Sequence, residues 1–206
     1  MQSPTAVFFA RWLRNPLGVG SVIPSGVPLS TAMAAPAIEG HRRPVLELGG
    51  GTGSVTTALL RGGLAPGDLI VMERDPDLHA YLCERFPAVR VVRGDAAYAS
   101  RTLKAAGIAE VGAVVSSLPL VSMPLMARRR IIGDAFRCLA RDGFLLQFTY
   151  GPRSPVPARM MATLGIWGRP VARVWRNVPP ATVWRYERVS RPAAAPNSRA
   201  HLQVSP

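Results

Sequence analysis

The stretch "VLELGGGTG", Val45 to Gly53, decides how the rest of the chain is read. It joins a short apolar run, broken only by Glu47, to four glycines within five residues, and the helical pattern "SVTTALLRG" follows from Ser54. A short apolar run bounded by turn residues reads as a buried strand. A glycine cluster between strand and helix lets the backbone pass close to a ligand.

Working outward, the same alternation repeats from Arg43 to Tyr150. "LIVME" precedes "DPDLHAYLCERF", "VRVVRG" precedes "DAAYASRTLKAAG", "VGAVVSSLPL" precedes "PLMARRRIIGDAFRCLA", and "GFLLQFTYG" closes the series. Five strands separated by helices predict right-handed βαβ units in a doubly wound, mostly parallel α/β sheet, with ligands at the carboxyl ends of the strands. Those ends fall at Gly49, Glu73, Gly94, Ser117 and Tyr150. Beyond them, "RPVARVWRNV" and "ATVWRYERV", parted by Pro179 and Pro180, predict an antiparallel strand pair added to the sheet.

The chain's 206 residues suffice for one domain with a packed core. We divide it into an N-terminal helix and lid segment (1–40), a main domain (41–190) and a Pro-, Ala- and Ser-rich tail (191–206) expected to be disordered. At the start, Ser3 and Pro4 read as helix cap and first turn, ahead of a short amphipathic helix with Phe8, Phe9, Trp12 and Leu13 beside Arg11 and Arg14.

The formal net charge is +13, from 25 Lys and Arg against 12 Asp and Glu, with Lys104 the only lysine. Such a balance draws the protein to anionic surfaces; on charge alone, nucleic acid and acidic phospholipid stand level. Cys83 and Cys138 are far apart and form no CxxC or Cys/His cluster, so neither a disulfide framework nor a metal site is expected. Each thiol is expected to pack as a small buried apolar group, as suits a reducing cytoplasm. No secretory signal is read at the amino terminus. The longest uncharged run, Val111 to Ala127, contains Ser116, Ser117, Pro119, Ser122 and Pro124, and reads as strand plus loop instead of a membrane span.

Three ligands commonly occupy a strand, glycine loop and helix. A triphosphate loop ends in Gly-Lys-Ser/Thr, whereas Ser54 and Val55 follow Gly53 here. The dinucleotide pattern needs a further glycine where this chain has Ser54 or Thr56, according to the starting glycine. The alternate spacing of Glu47, Gly49, Gly51 and Gly53 resembles the first motif of class I S-adenosylmethionine-dependent methyltransferases. That resemblance implies a loop facing the amino-acid part of the cofactor, with Glu47 as counter-charge. Glu73 would then accept the ribose hydroxyls and Asp95 in "RGDA" would face the adenine amino group.

In the amino-methyltransferases of this class the fourth strand ends in a tetrapeptide such as Asn-Leu-Pro-Tyr; here it reads Ser117, Leu118, Pro119, Leu120. Leu120 cannot stack on a base as tyrosine does, which weighs against a ribosomal RNA adenine methyltransferase. The segments "FFARWLRNPLGVGSVIPSG", "SSLPL", "QFTYGP" and "WRNVPPATVWRY", spanning Phe8 to Tyr186, resemble the soluble, membrane-associated bacterial phospholipid N-methyltransferases. The resemblance implies stepwise methylation of phosphatidylethanolamine toward phosphatidylcholine, at the inner face of the cell membrane. On this reading, Ser117 and the Leu118 carbonyl orient the amine and Tyr150 assists. Arg153 and Arg176 meet the lipid phosphate, while Ser25 crosses over the cofactor. Phe8, Phe9, Trp12, Arg11 and Arg14 lie in the headgroup region. The "RRR" of Arg128 to Arg130 reads as a solvated helix face. An RNA adenine N-methyltransferase and a non-catalytic membrane-binding module remain the alternative readings.

Overall fold

The computed structural model describes residues 26–39, 44–177 and 179–189. The strands are β1 (Val45–Leu48), β2 (Leu69–Glu73), β3 (Arg90–Arg93), β4 (Val111–Ser116), β5 (Leu139–Tyr150), β6 (Ile166–Val174) and β7 (Ala181–Arg188). The helices are α1 (Val27–Glu39), α2 (Ser54–Arg61), α3 (Pro76–Arg85), α4 (Ala99–Ala105), α5 (Leu125–Cys138) and α6 (Ala158–Leu164). All seven strands form one sheet in the order β3-β2-β1-β4-β5-β7-β6. β1 to β5 run parallel, and β7 and β6 add antiparallel beyond β5. The direction of winding reverses between β1 and β4, which is where a doubly wound sheet opens a crevice.

The central strands form because both their faces are buried, so β1 and β2 carry near-continuous apolar runs instead of alternating ones. One face packs Leu46, Met72 and Val114 under α4 and α5, with Leu103, Ile132 and Phe136 above them. The other packs Val45, Val71 and Val115 under α1, α2 and α3, with Met33, Leu59 and Leu82. α3 starts at an Asp-Pro pair: the Asp75 carboxylate accepts from Asp77 and Leu78 N–H, both at 3.0 Å, and Pro76 supplies the first turn.

Three features depart from expectation. Residues 27–39 carry no predicted element, yet they form α1 despite Pro36, because Leu29, Met33, Ala34 and Ala37 recur at helical spacing and are buried on the sheet. β5 starts at Leu139, four residues earlier than "GFLLQFTYG", and the pairing to β4 shifts register between Val111 and Ala113. There the two backbones approach so closely that a side chain on Gly143 would lie 2.9 Å from the Gly112 carbonyl oxygen. Finally, Cys83 is exposed and not buried, because it sits on the solvent side of α3 beside His79; Cys138 is buried, and burial pushes its thiol up to about 12.

Buried Asn177 ties the entry of α1 to the β6–β7 connection. Its side-chain oxygen accepts from Gly26 N–H at 3.2 Å, and its amide donates to the Pro179 carbonyl at 2.8 Å. Asn177→Ala strands both partners and should lower stability in urea by about 2 kcal/mol. A midpoint unchanged from wild type would show that water replaces the amide at no cost.

Candidate functional site

The crevice at the switch point opens into a cavity of about 620 Å³. Parallel register aligns Glu47 with Val71 and Leu48 with Met72 and Ser116, so the residues that follow each strand emerge along one edge. Glu47, Glu73 and Asp95 all line this cavity, together with Gly49, Gly51 and the Ser117–Leu118 pair. Residues predicted at four separate strand ends are thus brought together.

The glycine loop is held by backbone geometry and one carboxylate. Gly49 and Gly50 donate to the Met72 carbonyl, at 2.9 and 3.3 Å. Gly51 N–H donates to Glu73 Oε2 at 2.9 Å, while Glu73 Oε1 accepts from Arg74 and Asp75 N–H at 2.8 and 2.9 Å. Three of the roughly four acceptor positions of this carboxylate therefore serve the loop and the β2–α3 turn, and one stays open to a ligand. Gly51, at φ 54°, has no atom within 4 Å of where a side chain would start, so its backbone is bare to the cavity. Gly53 belongs to a different task. It does not line the cavity; its left-handed φ of 78° starts α2, and a side chain there would strike the Phe86 ring at 2.5 Å.

Glu47 is fully buried on the α2 side of β1. Its Oε2 accepts from the Thr56 hydroxyl at 2.6 Å, and its Oε1 has no partner among the described residues. Burial raises its carboxyl to about 8, against lowering hydrogen bonds from Thr56 and a further rise from the Glu73 charge. An unpartnered carboxylate oxygen in a cavity wall is costly unless something cationic or hydrogen-donating meets it. Asp95 caps the 3-10 turn Ala96–Tyr98 through Ala97 N–H at 2.9 Å and lies 3.8 Å from the exposed Arg74 guanidinium.

At the fourth strand end, the Ser117 hydroxyl is buried and has no partner among the described residues. The Leu118 carbonyl accepts from Gln147 Nε2 at 2.9 Å and from Leu120 N–H at 2.8 Å, and the Gln147 amide also reaches the Phe148 carbonyl at 2.9 Å. Gln147 is fully buried in the middle of β5, a place where an amide needs a reason. Sequence reasoning missed it, although a lone polar residue within "FLLQF" was the available signal. Leu120 is buried under the turn and offers no stacking face to the cavity.

Other predicted positions are not drawn into the cavity. Strand alternation turns Tyr150 to the α1 face of β5, beside Phe148 and Asn177, where burial raises its hydroxyl. Arg153 and Arg176 are exposed and do not line the cavity. Arg128 corrects the reading of "RRR" as a solvated face. Its guanidinium donates to the carbonyls of Pro155, Val121 and Met123 at 2.9, 3.1 and 3.3 Å and is lowered by burial, while Arg129 and Arg130 stay exposed. Ser25, Phe8, Phe9, Arg11, Trp12 and Arg14, with the 191–206 tail, lie outside the described residues. Among the described residues no three His, Cys, Asp or Glu side chains are grouped as metal ligands, and no helix is long and apolar enough to cross a membrane.

A doubly wound sheet in this strand order, with a glycine loop at its switch point, defines a class I S-adenosylmethionine-dependent methyltransferase. Solved structures agree on the fold. A TehB-like S-adenosylmethionine-dependent methyltransferase from Corynebacterium glutamicum is similar with a TM-score of 0.58 at 18% identity, over 89% of this chain and 98% of that one. A Burkholderia thailandensis 1,6-didemethyltoxoflavin-N1-methyltransferase, with 1,6-didemethyltoxoflavin and S-adenosylhomocysteine bound, gives 0.61 at 16% identity over 91% and 92%. No protein-family model matches the sequence. The ornithine lipid N-methyltransferase of Singulisphaera acidiphila is 32% identical over 149 residues, 71% of this chain and 78% of that one, and the chain belongs to its family.

The raised Glu47 carboxyl sets a pH dependence. Its folded value of about 8 lies above the ordinary 4.5, so between these values the folded protein holds a proton that the unfolded chain releases. The associated stability is full below pH 4.5 and falls as pH rises through 8. Glu47→Gln should flatten this decline, which in the wild type is on the order of 1 kcal/mol per pH unit. Identical pH profiles of the melting temperature would remove the buried carboxyl from the account.

Proposed function

We propose that the protein N-methylates the amino headgroup of a membrane lipid, with phosphatidylethanolamine and its methylated derivatives as substrates toward phosphatidylcholine. The observation that carries the amine chemistry is the Ser117 hydroxyl, buried in the cavity wall with no partner among the described residues and next to the Leu118 carbonyl. The lipid class is supported by the resemblance of the sequence and by the kinship with an enzyme named for ornithine lipid.

S-adenosylmethionine would supply an electrophilic methyl carbon, which a neutral amine nitrogen takes in line as the carbon–sulfur bond breaks and the thioether S-adenosylhomocysteine leaves, the new ammonium then giving up a proton to water. The chain's own residues fit such a cofactor. Glu47, with its spare oxygen, would receive the ammonium of the amino-acid part, and the bare backbone at Gly51 beside Gly49 permits close approach. Glu73 would take ribose hydroxyl through its open acceptor position, Asp95 the adenine amino group, and Ser25 would cross over the nucleoside. An ammonium beside Glu47 favours the ionised carboxylate, so binding of the cofactor expels the Glu47 proton at neutral pH.

Catalysis then rests on alignment. Ser117 Oγ would accept an N–H of the amine and aim its lone pair, while the Leu118 carbonyl beside it, already accepting from Gln147 Nε2 and Leu120 N–H, shapes the wall around the nitrogen. Burial of the Ser117 hydroxyl would keep water from the reacting nitrogen. Arg153 and Arg176, exposed outside the cavity, would engage lipid phosphate at the surface and leave the amine to the cavity.

The relative's name favours one second reading, in which the amine belongs to an ornithine lipid. Purified protein given radiolabelled S-adenosylmethionine and vesicles containing either lipid should label phosphatidylethanolamine, and Ser117→Ala should lose about 10-fold or more in kcat. Label only in ornithine lipid would move the substrate, and label in neither would end the lipid reading. Glu73→Ala should abolish the calorimetric heat of cofactor binding.

A further inference from the structure

Exposed apolar side chains collect at the carboxyl edge of the sheet, on both flanks of the cavity mouth. On one flank, the turn after β4 and the first turn of α5 present Val121, Leu125 and Met126 at 54%, 58% and 71% exposure. Their neighbours Ser122, Met123 and Ala127 line the cavity itself. The Arg128 guanidinium clamps the Val121 and Met123 carbonyls to that of Pro155, so a pinned backbone presents these side chains. Leu125 and Met126 stand one helical turn ahead of exposed Arg129 and Arg130. Arg130 in turn lies 5.5 Å from the ring centre of half-exposed Tyr98 and donates to its hydroxyl at 3.1 Å.

The other flank lies past β5 and β7. β6 ends at the same edge, since Val174 and Tyr150 both pair with Ala181. Trp175 follows, 65% exposed, with the Arg173 guanidinium 4.0 Å from a ring centroid. The bond from Gly26 N–H to Asn177 brings Val27, 75% exposed, to this corner, where Arg176 is exposed as well.

The spacing and the chemistry of these groups select the occupant. β4 and β6 are three strand positions apart, about 14 Å. Apolar groups separated so widely, each beside an arginine, make no contiguous core for a protein interface. Each can enter a bilayer independently while the guanidinium groups stay on phosphates. Trp and Tyr, with one apolar and one polar end, suit the headgroup level. The formal charge of +13 favours an anionic leaflet.

Building on the lipid reading above, we propose that this edge is a bilayer-docking face. Val121, Leu125 and Met126 on one flank, and Trp175 with Val27 on the other, enter an anionic leaflet and set the cavity mouth on the headgroups.

The full chain tests this through fluorophores attached at Leu125→Cys and Trp175→Cys in a Cys83→Ser background, which leaves only the buried Cys138. Both labels should shift to the blue with phosphatidylglycerol-containing vesicles and stay unmoved with pure phosphatidylcholine vesicles. Labels that ignore both vesicles overturn the proposal. So do labels already blue-shifted without lipid and unchanged by it, because the chain's own 1–25 segment or a second copy would then cover the face. A Leu125→Ser, Met126→Ser double variant and Trp175→Ala should each weaken vesicle partitioning about tenfold, with melting temperature and S-adenosylmethionine binding retained; partitioning within twofold of wild type refutes the proposal. Partitioning involves no chemistry. A protein that docks yet methylates no lipid amine sinks the substrate reading alone, and methylation of dispersed short-chain lipid without docking sinks this one alone.

Discussion

The Glu73 carboxylate is the constraint on which the site depends. One oxygen holds the Gly51 N–H of the loop and the other holds the two N–H groups that open the β2–α3 turn. One of these three bonds, from Gly51, ties the first strand end to the second, and the other two shape the turn that follows the second. Charge-assisted bonds from backbone N–H groups are stronger than neutral ones. Gly51 can consequently present a bare backbone to the cavity without side-chain support of its own, and Glu47 behind it is held open toward the same space. Loss of that carboxylate would loosen the loop before it touched any ligand, so its structural and ligand-facing tasks are one.

Much of the frame was readable in the residues because the signals were local. "VLELG", "LIVME" and "VGAVVSS" are short, apolar and punctuated, and they form the buried parallel strands predicted. The helical segment "DPDLHAYLCERF" forms α3, and the "PP" between two β-rich runs announced the terminal pair. α1 escaped because its Pro36 argues against a helix and its composition is nearly all small or apolar, which leaves little contrast between faces. Burial against the sheet outweighed the proline. The early start of β5 escaped because nothing in "CLARDG" marks a register shift; it follows from how closely Gly143 passes the β4 backbone.

Within the site, the acidic strand ends were legible as a set, since three carboxylates at three successive strand ends fit no solvated face. What each atom does was not legible. Gly53 looked like one more ligand-facing glycine, and only the Phe86 ring beside it shows that it serves helix initiation and packing. Tyr150 sits at a strand end as Ser117 does, yet it packs with Phe148 on the α1 face of β5 and does not line the cavity. Arg128 reads like its two neighbours in "RRR" and differs from them wholly, because three carbonyls from two loops converge on it.

Gln147 links these strands of reasoning. Its amide hydrogens are spent on the Leu118 and Phe148 carbonyls, while its own oxygen and the Trp184 indole N–H, on residues paired across β5 and β7, are buried without partners among the described residues. An apolar residue there would remove the orphaned oxygen and pack as well, so stability alone gives no reason for the amide. Its retention makes sense where the Leu118 carbonyl must point at one place. The carbonyl follows Ser117 on the cavity wall, one residue beyond a strand whose register is locked to β1 and β5. The Leu118 carbonyl is held there by two donors, the buried Gln147 amide and the Leu120 N–H. The cost of burying that amide fits the proposal that the fourth strand end orients an amine beside Ser117.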